Sequence, residues 1–276
     1  MLTHQVSVDP ARRVVIKRFR QAERSEPERE WRALTLLAEH APGLAPQPVL
    51  ADLAADPPVI EMSLLPGEPL GGQPLTAEQE SALVRAVGQL WQSVPVSRVI
   101  PLPGEAGNEA QLVTVVRQLA AQAHDLGDDP VVRAAHSAGL TWLSWAVGES
   151  GQLAGHGGGS PDLSPVFGQG DANLANFLWD GQRVRVVDFE DSGLSDRAFE
   201  IAALIEHLSA WSDSTLDGGA FIRAFDLSTA ERARLADCRR LTALFWYLNL
   251  RPGGDASARN PAGTLRRQAE RLLALL

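Results

Sequence analysis

Over the first twenty residues, β-branched and apolar positions fall into two short runs, Gln5 to Val8 and Arg13 to Phe19, on either side of Asp9-Pro10-Ala11-Arg12. Asp and Pro favour a turn, so the pattern predicts a hairpin. From Pro27 the period changes, with Trp31, Leu34, Leu37 and Ala38 at i, i+3, i+6 and i+7 and a stop at Pro42-Gly43. That is the stripe of an amphipathic helix. Val49 to Asp52 and Val59 to Leu65 read as two further strands, and Pro66-Gly67-Glu68-Pro69 marks a boundary near residue 66. Beyond it, helical spacing covers residues 76–93, 108–124, 130–148, 197–211, 217–225, 228–250 and 260–276. The interruption comes midway: residues 155–170 are rich in Gly, Ser and Pro, and then Phe177 to Trp179 and Val184 to Phe189 flank Asp180-Gly181, a hairpin signal. The prediction is an α+β chain with a small β-rich N-lobe, residues 1–66, and a larger, mainly helical C-lobe, residues 67–276.

Composition narrows the function classes. A chain of 276 residues that is 45% hydrophobic and 21% charged buries a core without staples. Its single cysteine, Cys238, excludes a disulfide framework, and the six histidines show no paired metal spacing. With 25 basic and 34 acidic residues, the net charge of -9 repels polyphosphate chains and anionic membranes, so nucleic acid is not expected as a partner. No run approaches 18 apolar residues and the first residues lack the apolar core of a signal peptide, which predicts a soluble, cytoplasmic protein with no membrane partner. All the basic residues but one are arginine, and the exception, Lys17, lies on the second predicted strand.

Three polar residues stand at informative spacings. Asp171 and Asn176 lie five apart in a segment bounded by Gly170 that enters the hairpin, and Asp188 follows at the end of the returning strand. A hairpin brings the loop before one strand and the end of the other to the same edge, so the three converge. Asn176 and Asp188 offer the neutral and anionic oxygens that magnesium takes, leaving Asp171 for a hydroxyl. Phosphoryl transfer needs this set together with a cation on the nucleotide phosphates.

In these residues the chain resembles the aminoglycoside phosphotransferase and choline kinase group of protein-kinase-like enzymes. The family's His-Gly-Asp-x-x-x-x-Asn loop is similar to Gln169 to Asn176, and its Ile-Asp-Phe metal motif to Val187-Asp188-Phe189. Val14-Val15-Ile16-Lys17 resembles the strand carrying the phosphate lysine, and Glu30 its helical partner. Ile60 to Leu70 resembles the interlobe hinge, whose Met62, Ser63 and Leu65 would face the adenine. The resemblance implies a bilobal kinase-like fold and an ATP- and magnesium-dependent transfer of the γ-phosphoryl group to a hydroxyl of a small molecule, whether aminoglycoside-like, sugar or amino alcohol. In it Lys17, held by Glu30, binds phosphates, Asn176 and Asp188 hold Mg2+, and Asp171 orients the acceptor hydroxyl.

Two positions depart from the family. Its first strand and Gly-rich phosphate-covering loop are not found in the sixteen residues before Lys17, and Gln169 stands where His is usual. The glutamine is expected to weaken the order of the loop more than to abolish chemistry, because it still donates and accepts hydrogen bonds. These departures keep open an alternative, a non-catalytic kinase-like protein that binds a nucleotide or a partner. Glu190 and Asp191 read as a solvated acidic corner, Asp196 as a helix cap, and the tryptophans as packing between C-lobe helices, with the lining of an acceptor pocket left open for one of them. His156-Gly157-Gly158-Gly159 suggests an esterase oxyanion hole, but no Gly-x-Ser-x-Gly nucleophile motif accompanies it.

Overall fold

The structure, a computed structural model, describes residues 4–20, 25–122, 125–148, 163–254 and 256–276. The opening hairpin is present as β1 (His4–Asp9) and β2 (Val14–Phe19), and the Asp9 carboxylate accepts the Arg12 amide to close the turn. Helix α1 (Glu26–His40) follows, then β3 (Pro48–Asp52) and β4 (Val59–Ser63). The four strands form one antiparallel sheet in the order β1-β2-β4-β3, so β2 is internal and Lys17 lies between Val6 and Ile60. The buried stripe of α1 contains Ala33, Leu34 and Leu37, and helical spacing carries Glu30 into the same stripe.

The chain then pairs β5 (Glu68–Pro69) with a strand more than a hundred residues on. Next come α2 (Ala77–Ser93), started by a Thr76–Gln79 capping box, α3 (Val96–Val99), α4 (Glu109–Ala121) and α5 (Pro130–Ala146). Strands β6 (Pro165–Gly168), β7 (Phe177–Trp179), β8 (Val184–Val186) and β9 (Gly193–Asp196) make two small sheets, β5-β7-β8 and β6-β9. Helices α6 (Arg197–Glu206), α7 (Leu208–Trp211), α8 (Gly218–Arg223), α9 (Thr229–Asn249) and α10 (Thr264–Leu275) complete the C-lobe. One apolar core runs from Phe19, Ile60 and Met62 through Leu83 and Leu90 to Val186 and Phe199, tying the two lobes together. A second lies among α4, α5, α9 and α10 around Leu143, Leu244 and Leu272. Among the described residues no helix is long and apolar enough to cross a membrane.

The bilobal α+β architecture expected from the sequence is the one observed, with local corrections. The strand expected over Val184 to Phe189 stops at Val186, because Asp188 takes a left-handed φ of 65° that no ladder accommodates. The helix expected over 197–211 breaks at His207, which caps α7 instead. The predicted loop over 155–170 ends in a strand, β6, whose partner β9 is likewise unmarked by any alternating pattern. The His156 run lies outside the described residues.

Candidate active site

Lys17 reaches out of β2 into a nest of three carboxylates. Its Nζ lies 3.1 Å from Glu30 Oε2 and 2.5 Å from Glu190 Oε2, and it also donates to Asp188 Oδ1. Burial alone would lower the pKa of the ammonium, but the charges of Glu30, Asp188 and Glu190 outweigh it and hold Lys17 protonated. Glu30 is wholly buried; burial raises its pKa and the Lys17 charge opposes that rise only in part. Glu190 also lies 2.9 Å from His4 Nε2. It is therefore no solvated corner, as the sequence suggested, but a third partner of the lysine. Oxygens of Glu30, Asp188 and Glu190 come within 4.8 Å of one another. Lys17 contacts all three, so this acidic cluster already has its cation.

Strand β6 delivers Gln169, Gly170 and Asp171. Gly170 has φ +88°, and a Cβ there would lie 2.4 Å from the Asp191 carbonyl, so only glycine fits the turn. The Asp171 carboxylate accepts the Asn173 amide at 3.2 Å and Asn176 Nδ2 at 2.9 Å. Burial raises the Asp171 pKa, with Asn176 opposing. A single 3-10 turn, Leu174–Asn176, capped by the Asn173 side chain, then leads into β7. The amide of Val187 donates to the Asn176 carbonyl at 2.9 Å, so the hairpin's return sets Asp188 beside Asn176. Gln169 closes the arrangement: Nε2 donates to the Val187 and Asp188 carbonyls, and Oε1 accepts the Asp171 amide at 2.8 Å. With three hydrogen bonds, the glutamine is bound into the loop and does not loosen it.

Two cavities meet at Asp171. One, of about 510 Å³, lies between the N-lobe sheet and the loop and is lined by Val15, Lys17, Met62, Ser63, Leu65 and Asn176, among others. The other, of about 230 Å³, opens on the far side of Asp171 among α2, α6 and α9. The sequence-predicted residues Lys17, Glu30, Met62, Ser63, Leu65, Asp171, Asn176 and Asp188 all line the first. Asn176 commits its nitrogen to Asp171, which leaves its amide oxygen for a ligand, and with Asp188 it offers the all-oxygen donor set that suits magnesium. The segment after β4 is held on both sides, with Ser63 N donating to Gln47 O and Leu64 N to Arg13 O.

The second cavity was not legible in the sequence. It is lined by Trp91 and Trp246, two of the tryptophans that the sequence read as helix packing with pocket lining open for one, and by Glu105, which carried no motif. Asp196 does cap α6, accepting the Phe199 amide at 3.0 Å, as expected.

Comparison with known proteins agrees with this fold. Residues 3–238 match the family described as the phosphotransferase enzyme family. No curated protein sequence matches the chain. Among solved structures, a choline/ethanolamine kinase family protein from Mesorhizobium loti superposes with a TM-score of 0.63 at 17% identity, over 100% of this chain and 85% of that one. The choline kinase LicA from Streptococcus pneumoniae gives 0.60 at 13%, over 99% and 89%. A spectinomycin phosphotransferase, solved with ADP and spectinomycin, gives 0.58 at 15%, over 95% and 81%. At these identities the likeness is one of fold.

Proposed function

The chain belongs to the phosphotransferase enzyme family, and from that premise we propose that it moves the γ-phosphoryl group of ATP, with Mg2+, to a hydroxyl of a small molecule. The observation that carries this reading is the position of Asp171 at the junction of two cavities, one lined by the lone lysine and the other free of it. The larger cavity would hold the nucleotide, with the base against Met62, Ser63 and Leu65 and the phosphates towards Lys17. Glu30 fixes the ammonium by charge and position. Asn176 and Asp188 would hold the metal, which when bound neutralises charge on the phosphates. Asp171 would orient the acceptor hydroxyl and receive its proton as the acceptor oxygen bonds to the γ-phosphorus. The bond from that phosphorus to the β–γ bridging oxygen breaks, and ADP leaves with the electron pair. Residues 1–66 would act as the nucleotide lobe and residues 67–276 as the lobe of the loop and the acceptor.

Calorimetric titration of Mg–ATP into the purified protein tests the nucleotide site. Binding by the wild type that Asp188→Ala loses and Asp171→Ala keeps is expected, together with loss of turnover in Asp171→Ala. Normal turnover in Asp171→Ala would overturn its role, and no binding by the wild type would favour a non-catalytic kinase-like protein.

A further inference from the structure

A pair of carboxyl groups lies beside the loop of Asp171, and no step of the transfer uses it. Glu105, between α3 and α4, is 2% exposed, and Glu200 stands near the start of α6. Backbone bonds fix the place of Glu105: its amide donates to Leu194 O at 3.2 Å, the Leu194 amide donates to Pro103 O at 2.9 Å, and the Ala106 amide donates to Asp191 O at 2.8 Å. Its carboxyl reaches β6. A Cβ on Gly168 would lie 2.2 Å from Glu105 Oε2, 2.5 Å from Glu200 Oε1 and 2.6 Å from Ser195 Cβ, so the two carboxyl oxygens converge on a point that only glycine leaves free.

Two ionised carboxylates at such a point would repel each other, and no opposite charge separates them. Among the described residues, neither acid forms an ion pair with a lysine, arginine or histidine. Arg234 of α9 is shared between Asp196 and Glu109, and Arg29 of α1 gives its Nη1 to the carbonyls of Gly104 and Ser192. Asp196, at the end of β9, adds a further negative charge. Asp171 and His207 line the same small cavity as the pair, and burial lowers the His207 pKa to about 4. One proton removes the conflict, since a carboxyl donates where a carboxylate accepts. Burial, then the charge of Glu200 and a hydrogen bond with it, raises Glu105 well above the carboxylate range, with Ser195 opposing. The proton therefore sits on Glu105, and Glu200 accepts it.

Glu200 has a second task. Its Oε2 accepts the Gln169 amide at 3.3 Å, and the Gln169 side chain in turn binds the Asp171 amide and the carbonyls of Val187 and Asp188. One chain of contacts thus runs from Glu105 through Glu200 and Gln169 to both acids of the site. We propose that Glu105 is a positioning residue: the proton it shares with Glu200 holds the start of the Asp171 loop in place, and loss of that proton to solvent lets the loop move. This rests on the reading of Asp171 as the residue that orients the acceptor hydroxyl. A glutamine at position 105 would keep an N–H donor for Glu200 and could not ionise.

Infrared spectroscopy of protein labelled with 13C at its glutamate carboxyls reads the proton directly. At pH 6.5 the wild type is expected to show a protonated carboxyl stretch that Glu105→Gln lacks. Its absence from the wild type overturns the proposal without any variant having to fold, and so does its persistence in Glu105→Gln. The folded value of Glu105 lies above the ordinary 4.5, so stability is lost as pH rises from 4.5 towards that folded value. Between pH 5 and pH 8 the urea midpoint of the wild type should fall more than that of Glu105→Gln, and parallel profiles would overturn the shared proton. Glu105→Leu removes the donor at every pH. Its Gln169 amide should exchange with deuterium about tenfold faster than in the wild type, as one lost buried hydrogen bond implies. Glu105→Gln should retain most of the protection. Turnover should follow the same order, and unchanged exchange or wild-type turnover in Glu105→Leu would overturn the positioning role. A wild type without turnover would overturn the transferase reading instead, because the proton and the exchange are measured without substrate.

Discussion

Gln169 Nε2 donates to the backbone carbonyl of Asp188 at 2.6 Å, so the residue that leads into the Asp171 loop is tied directly to the residue that carries the candidate metal carboxylate. Asp188 has a positive φ, which an aspartate adopts at some cost, and the glutamine is one of the contacts that holds it there. Gln169→Ala removes the bonds to Val187 O, Asp188 O and Asp171 N together. It is expected to lower stability by about 2 kcal/mol and turnover by at least about tenfold. Gln169→His keeps a ring donor and should lose less of both. Urea unfolding and the rate of ADP release check the two parts.

Lys17 and Glu30 form a buried pair, so removing one partner strands the other. Lys17→Met leaves Glu30 buried without its cation and is expected to cost about 3 kcal/mol at neutral pH. Burial already raises the Glu30 pKa, and without the lysine it rises further. A carboxyl whose folded pKa lies above its unfolded value loses stability as pH rises, so the variant should be closer to the wild type at pH 5 than at pH 8. The double variant Lys17→Met, Glu30→Leu should recover most of the loss. Unfolding midpoints at the two pH values give the comparison.

How much of this was legible beforehand follows from what each feature depends on. The hairpin of Lys17 and the loop of Asp171, Asn176 and Asp188 were readable because turn residues and strand spacing fix them locally. Glu30 was readable only through its likeness to the family's helical partner of the lysine, because the stripe read from the sequence ran through Trp31, Leu34 and Leu37 and a glutamate carries no mark of burial. Glu190 was not, because its meeting with Lys17 joins residues 173 positions apart through the packing of two lobes. The cavity of Trp91 and Trp246 depends on how α2, α6 and α9 lean together, and a tryptophan in a helix carries no mark that separates packing from lining. Strands β6 and β9 are four residues each, too short for alternation to stand out.

Arg234 on α9 joins two acids from different elements, Asp196 before α6 and Glu109 at the start of α4, at 2.7 Å each. All three side chains are nearly buried, so Arg234→Met would take from both carboxylates the cation they share. The expected loss is about 3 kcal/mol, with Asp196 still able to cap α6. Arg234→Lys should recover only part, since one ammonium does not reproduce a fork between two carboxylates. Denaturant unfolding measures both, and a loss in Arg234→Met below about 1 kcal/mol, the range of an exposed pair, would show that the triad contributes little.

His207 sets an acid limit on stability. Its Nδ1 accepts the Ser209 amide at 3.1 Å, capping α7, and Ser209 Oγ accepts the Leu174 amide at 2.9 Å, so the cap reaches the loop of Asp171. Burial lowers the His207 pKa from 6.5 to about 4, against a smaller upward pull from Asp213. A protonated Nδ1 would turn a donor towards the Ser209 N–H and lose the cap. The unfolded chain therefore takes up the proton first as pH falls. The stability that neutral His207 contributes is fully present above pH 6.5 and is lost as pH falls through about 4. The shift corresponds to at most roughly 3 kcal/mol. His207→Asn keeps an N-cap acceptor that does not titrate. Between pH 7 and pH 4.5 its urea midpoint should fall less than that of the wild type. Parallel profiles for the two proteins would remove His207 as the source of the acid sensitivity.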